Sequence, residues 1–107
     1  MTGSDARGSD ARGADAREPA VRRRVVVSGQ VQGVFFRDTC RREALRHGVA
    51  GWVRNCPDGT VEAVFEGPAD GVSAMVAWSR RGPGQAAVDD VQVTEEPPEG
   101  ADGFRVR

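Results

Sequence analysis

The stretch VVVSGQVQGVFFRDTCRREALRHG, residues 25–48, decides the fold, because it passes from a strand through a turn into a helix. Its leading valines are β-branched and suit a buried strand, which we predict over residues 24–28. From Phe36 onward the apolar residues recur with the spacing of a helix face. Gly48 is placed to end that helix as a C-terminal cap. This segment therefore predicts a strand, a glycine-containing turn and a helix in succession.

The chain after this segment continues with a hairpin, a second helix and a last long strand. Asp58-Gly59 is a strong hairpin turn signal, and Asp70 is placed to cap the second helix. Met75 and Trp78 of that helix are predicted to belong to the core or its edge. The predicted strands are residues 50–55, 60–66 and 88–94, with a short ending at 104–107.

The predicted order of elements, βαββαβ, is that of an α+β protein with a ferredoxin-like sandwich. In this arrangement two crossovers place both helices on one face of an antiparallel sheet. The opposite face of the strand 60–66 is expected to be mostly wet, since Glu62, Val64 and Glu66 alternate with its apolar residues. The run Arg22-Arg23-Arg24 is expected to be a solvated strand end.

The chain has 107 residues and a net charge of -1, which is enough for one small domain. Residues 3–17 repeat a five-residue pattern, GSDAR, GSDAR and GADAR, that lacks large apolar side chains. Such a segment cannot offset its ordering entropy. We therefore predict a disordered extension over residues 1–18 and a folded domain over residues 19–107.

The composition excludes several kinds of chemistry and of partner. All 15 basic residues are Arg, so catalysis by Lys is excluded, and the single His and two Cys cannot fill a four-ligand zinc site. We expect no metal and no cofactor. The near-neutral charge argues against nucleic acid binding, and no apolar segment is long enough to cross a membrane. We expect a cytoplasmic monomer whose thiols, Cys40 and Cys56, stay reduced.

The turn between the first strand and the first helix is a candidate anion site. Gly29 and Gly33 allow successive backbone N–H groups to point outward, and the helix start adds its own unpaired donors. Arg37 supplies a charged fork from the first turn of the helix. A phosphate or a carboxylate would fit there, although a plain strand-to-helix turn with an incidental Arg explains the spacing equally well. No Gly-Lys-Ser/Thr follows, so the loop is not a nucleoside triphosphate site of the Walker type.

The sequence resembles the acylphosphatase family over nearly all of residues 21–107. The resemblance rests on the motif G-x-V-Q-G-V-x-F-R at residues 29–37 and on GWVRN at residues 51–55. It continues through DGTVE at residues 58–62 and the closing FRVR at residues 104–107. Both main motifs occur in the order and spacing of the family.

The resemblance implies hydrolysis of a small-molecule acyl phosphate to a carboxylate and inorganic phosphate, without a metal. Arg37 matches the phosphate-binding arginine of the family, and Asn55 matches the asparagine that positions the attacking water. The loop that matches the phosphate cradle consists of Gln30, Val31, Gln32, Gly33, Val34, Phe35 and Phe36. Asn55 would lie beside this loop if the first and third elements of the sheet are neighbours, because the hairpin strand would then bring it there.

The residue inventory agrees with this chemistry independently of the resemblance. The leaving carboxylate has a pKa of about 4 to 5 and needs no protonating acid at neutral pH. Phosphoryl transfer requires chiefly positioning and charge stabilisation, which backbone amides and a guanidinium provide. The alternative is a noncatalytic phosphate- or carboxylate-binding module, which would need the cradle but not Asn55. A domain of a larger carbamoyl-transfer maturation protein is a further alternative, which the chain length disfavours.

Overall fold

The computed structural model describes residues 19–107, and the predicted extension over residues 1–18 lies outside the described residues. Five strands and two helices follow in the predicted order. The strands are β1 (Val21–Gln30), β2 (Ala50–Asn55), β3 (Val61–Gly67), β4 (Ala87–Glu96) and β5 (Phe104–Val106), and the helices are α1 (Phe36–Arg46) and α2 (Ala69–Ser79). The α+β, ferredoxin-like prediction is confirmed.

The sheet has the strand order β4-β1-β3-β2-β5. The first four strands pair antiparallel, as predicted, but β5 pairs parallel to β2, so the sheet is mixed. The cause is geometric. The chain reverses between β4 and β5, which makes β5 run in the direction of β1, and β2 already runs in that direction. A strand added beside β2 from this connection is therefore parallel to it.

The core lies between the helices and one face of the sheet. Valines of β1 and the aromatic ring of Phe65 meet the buried side of α1 and α2 there. Met75 and Trp78 are buried, as predicted, and Trp78 packs its ring 5.1 Å from that of Phe36. Burying apolar side chains in this way is the main stabilising contribution to a domain of this size. None of the helices within residues 19–107 is long and apolar enough to span a membrane.

The face of the sheet that the two helices do not cover, called the open face below, differs from the prediction. Arg22 is only 6% exposed, and its guanidinium pairs with Glu66 at 2.9 Å and with Glu96 at 3.0 Å. Val64 and Glu66 are buried as well, so this face is not mostly wet. The reason is cross-strand pairing: acidic side chains on β3 and β4 stand opposite the Arg residues of β1, which lets the charges leave water together.

The start of α2 also differs from the prediction. Pro68, and not Asp70, occupies the N-cap position, with φ -59° and ψ 143°. The carbonyl of Pro68 accepts the first helical hydrogen bond from the N–H of Val72, at 3.0 Å. Proline suits the edge of a helix because it lacks the N–H that would be unpaired there. Asp70 lies within the first turn, where its negative charge interacts favourably with the positive end of the helix dipole.

Candidate active site

The loop of residues 31–35 joins β1 to α1 and bends sharply at two positions. Gly33 has φ 77°, and Phe35 has φ 61° and ψ 26°, both in the left-handed region. A side chain at Gly29, where β1 bulges, would collide with the backbone of Ala87 on β4. Glycine is therefore required at Gly29, whereas Phe35 adopts a conformation that is unusual for a bulky residue.

The backbone N–H groups of this loop and of the helix start form a set of unpaired donors. Within the described residues, no N–H group from residue 32 to residue 38 donates to a protein acceptor; the first such bond runs from Thr39 to the carbonyl of Phe35, at 3.1 Å. The positive end of the α1 dipole lies at the same place. This arrangement suits an anion with several oxygen atoms.

Arg37 lies in the first turn of α1 and is half-buried. Its Nη1 donates to the backbone oxygen of Arg107 at 3.1 Å, just beyond β5. The N–H of Arg107 in turn donates to the carbonyl of Val53 on β2, at 2.8 Å. One side of the guanidinium is thus fixed by the sheet, and its other donors bond to none of the residues that the structure describes, which leaves them for a ligand.

Asn55 ends β2 and is half-buried. Its side chain forms no hydrogen bond with another of the described residues. The first and third strands of the sheet are neighbours, as predicted, since β1 pairs with β3 and β3 pairs with β2. β1 and β2 run in the same direction, so their C-terminal ends lie at one edge of the sheet. The hairpin strand β2 therefore brings Asn55 beside the loop that follows β1, as the prediction required.

Gln32 links the loop to the β2–β3 turn. Its Nε2 donates to the carbonyl oxygens of Cys56 and Thr60, at 2.8 and 2.9 Å. The turn itself is held by Asp58, whose carboxylate accepts from the N–H and hydroxyl groups of Thr60. Hydrogen bonding by the Thr60 side chain lowers the pKa of Asp58, so this carboxylate keeps its charge in more acidic solution than an ordinary Asp. The turn that follows Asn55 is therefore fixed relative to the loop.

A cavity of about 400 Å³ lies where the C-terminal ends of β1 and β2 meet the start of α1. Six of the predicted site residues line it: Val31, Gly33, Phe35, Phe36, Arg37 and Asn55. Three others do not line it. Gln30 pairs with β4, the side chain of Gln32 is turned toward the hairpin, and Val34 packs against the core.

Two further residues, Asp38 and Val106, line the same cavity and were not predicted from the sequence to belong to the site. Asp38 directly follows Arg37, so its place in the first turn of α1 could have suggested it. Val106 reaches the cavity only because β5 pairs with β2, and no local pattern indicates that pairing. Among the described residues, no group of three or more His, Cys, Asp or Glu side chains is placed to hold a metal.

The family model named Acylphosphatase matches residues 23–106. A curated protein named acylphosphatase from Rubrobacter xylanophilus is 61% identical over 87 residues, which span 80% of this chain and 79% of that one. One from Gloeobacter violaceus is 55% identical, over 81% of this chain and 94% of that one.

Solved structures of acylphosphatases are similar to this chain as well. An acylphosphatase structure from Coxiella burnetii matches with a TM-score of 0.79 and 42% identity, covering 82% of this chain and 93% of the other. One from Bacillus subtilis has a TM-score of 0.78 and 38% identity, covering 81% and 98%. Full-length HypF matches with a TM-score of 0.77 over 83% of this chain and 12% of the other, and at 24% identity this likeness shows the fold alone.

Proposed function

Because this chain belongs to the acylphosphatase family, and is thus a hydrolase that splits acyl phosphates into a carboxylate and inorganic phosphate, we propose which of its residues perform that reaction. The loop of residues 31–35, the start of α1 and Arg37 bind the phosphoryl group, and Asn55 positions the water. The single observation that carries this assignment is that Arg37, Asn55 and the loop line one cavity.

The phosphoryl group is held by charge and by geometry. Its oxygens accept from the N–H groups of residues 32–38 and from the donors of Arg37 that have no partner within residues 19–107. As the reaction proceeds, negative charge on these oxygens is stabilised by donors that are already in place, which lowers the barrier without reorganisation of solvent. The N–H donors and the guanidinium supply the positive character that a metal supplies elsewhere, so we propose a metal-independent reaction.

Asn55 acts on the water and not on the phosphoryl group. Its side-chain amide has no protein partner among the described residues, and it can both accept from and donate to a water molecule. The water oxygen bonds to phosphorus, the bond from phosphorus to the bridging oxygen breaks, and its electron pair leaves with the carboxylate. The proton of the water passes to a phosphate oxygen or to solvent. No general acid is required, because the leaving carboxylate is a weak base.

The experiment that tests this division of roles compares Asn55→Ala with the wild type on benzoyl phosphate, with a chelator present. We expect the wild type to turn over under these conditions and the variant to lose most of its turnover. Competitive inhibition by inorganic phosphate should persist in the variant, because the loop and Arg37 are intact. Loss of phosphate inhibition together with turnover would contradict the assignment, as would abolition of wild-type turnover by the chelator.

We also propose that the chain acts as a monomer in the cytoplasm. The proposed site is assembled from residues of one chain. Cys40 and Cys56 are both free thiols, which suits a reducing compartment. Burial raises the pKa of the Cys40 thiol, so this residue stays protonated and unreactive. Sedimentation of the purified protein tests the oligomeric state: a dimer at assay concentration would contradict the proposal.

A further inference from the structure

Phe35 is the most exposed of the large hydrophobic side chains in residues 19–107, at 76%, whereas the next residue, Phe36, is only 2% exposed and lies in the core. The left-handed backbone at Phe35 turns these two consecutive rings in different directions. This conformation is strained for a bulky residue, and such strain is concentrated at functional sites. A ring held in water by a strained backbone therefore requires an explanation other than packing.

The ring of Phe35 lines the same cavity as Arg37 and Asn55. The cavity, at about 400 Å³, falls in the range of about 300 to 1,000 Å³ that accommodates whole small molecules. Val31 and Val106 supply further apolar wall. The lining therefore combines the donors assigned to phosphate with apolar side chains, and the apolar side chains remain for the other end of the substrate.

The charge of the cavity agrees with a neutral acyl group. The positive charge of Arg37 is assigned to the phosphoryl group. Asp38, the one carboxylate among the described lining residues, pairs with Arg42 at 3.1 Å along α1. No lining cation of the described chain is left to bind a second anionic group on the substrate.

We propose that Phe35 binds the acyl group, and that the enzyme accordingly prefers acyl phosphates with an aromatic or extended apolar acyl group over those with a small one. This inference rests on the proposed function, because it takes the phosphoryl end to be held by Arg37 and the loop. The apolar acyl group lies against the exposed ring and removes its surface from water. Phe35 thereby acts as a specificity-determining residue and leaves the hydrolytic step to the other groups.

The test measures kcat/KM for benzoyl phosphate and for acetyl phosphate. The ratio of the benzoyl phosphate value to the acetyl phosphate value is then compared between variants. Phe35→Asn removes the ring while keeping a residue type that tolerates the left-handed backbone. We expect its ratio to fall about three- to tenfold below that of the wild type, as loss of an aromatic contact predicts. Phe35→Tyr keeps the ring and should keep the ratio within about twofold. Taking the ratio cancels any loss that both substrates share.

Two controls make the result specific. Leu45→Ala removes an exposed apolar side chain near the C-terminal end of α1, outside this cavity, and should leave the ratio unchanged. Phe35→Gly, which also accepts the left-handed backbone, provides a second ring-free variant if Phe35→Asn folds poorly.

The outcomes separate this inference from the function on which it rests. If the wild type hydrolyses both substrates and both ring-free variants keep its ratio, the role of Phe35 is overturned and the proposed function stands. An equal loss of ratio in Phe35→Tyr and Phe35→Asn would also overturn it. If the folded wild type hydrolyses neither substrate, the proposed function itself fails.

Discussion

At the scale of single residues, the decisive feature is how Arg37 is held. Arg37 lies in the first turn of α1, so its positive charge and the positive end of the helix dipole attract an anion to the same place. The backbone oxygen of Arg107 fixes one edge of its guanidinium. A planar fork can make this bond and still present two parallel donors to a phosphoryl group, whereas an ammonium group is a point charge. Charge alone therefore does not explain the residue type.

We predict that Arg37→Lys lowers kcat/KM for benzoyl phosphate more than tenfold, a loss of at least about 2 kcal/mol in transition-state stabilisation. The matched control is Arg42→Lys, an exposed substitution on the same helix, which should leave kcat/KM unchanged. Steady-state kinetics at equal folded concentration measures both. Turnover near that of the wild type in Arg37→Lys would contradict the assigned role.

The residues of the candidate site could be predicted from the sequence only where a local motif carries them. Arg37 and Asn55 belong to such motifs. Val106 and the backbone oxygen of Arg107 do not, because they reach the site through the pairing of β5 with β2. The orientation of Phe35 depends on a single left-handed backbone position, which residue type does not indicate for a phenylalanine.

At the scale of elements, the site depends on the distance between the loop that follows β1 and the turn that follows β2. Gln32 spans these segments with two hydrogen bonds from one amide nitrogen. The motif that contains Gln32 suggested a place in the phosphate cradle. In the structure its side chain contacts the hairpin, and we regard it as a positioning residue for Asn55.

We predict that Gln32→Ala lowers the free energy of unfolding by about 1 kcal/mol, since the net gain from such hydrogen bonds is modest. It should lower kcat for benzoyl phosphate by a larger factor than it weakens inhibition by inorganic phosphate, because the water is misplaced while the cradle remains. Urea denaturation and inhibition kinetics give the two numbers. Gln92→Ala on β4, also exposed, is the control. Equal effects on kcat and on phosphate inhibition would argue against the positioning role.

The elements themselves were largely predictable, since their apolar periodicity and turn residues are strong. The pairing of β1 with β3 was predictable as well. The place and direction of β5 were not, because its parallel pairing with β2 is set by packing of the whole sheet. Asp70 is a good cap by type, but Pro68 two residues earlier already starts the helix.

At the scale of the whole molecule, a charge network covers the open face of the sheet. Glu66 accepts hydrogen bonds from Arg22 and from the backbone N–H groups of residues 99–101, which lead into β5. Burial alone would raise the pKa of Glu66, but these bonds outweigh burial and the pKa is lowered. Glu62 behaves in the same way: burial opposes the shift, and the bonds from Arg54 and Arg24 lower its pKa.

We therefore predict that the protein loses stability in acid. A carboxylate whose pKa is lower in the folded state than in the unfolded state stabilises the fold fully above the unfolded pKa, of about 4.3, and loses that contribution as the pH falls through the folded pKa. The free energy of unfolding should decrease between about pH 5 and pH 3. Denaturant titrations across this range measure it. Glu66→Gln should be less stable at neutral pH and show a shallower dependence; an unchanged slope would contradict the contribution of Glu66.

The extension is predicted to be dispensable for catalysis. Residues 2–18 precede the family match, which begins at residue 23. Deleting them should leave kcat for benzoyl phosphate unchanged, because the proposed site is built from residues 31–107. A clear drop in kcat would mean that the repeat contacts the folded domain.

In the proposed reaction, water attacks phosphorus while the loop and Arg37 hold the phosphoryl group. The test is hydrolysis of benzoyl phosphate by the wild type in water enriched in oxygen-18, with a chelator present and both products analysed by mass spectrometry. We predict that the label enters inorganic phosphate and that benzoate stays unlabelled. Label in the benzoate would show attack at the carbonyl carbon and would contradict the roles assigned to Arg37 and Asn55.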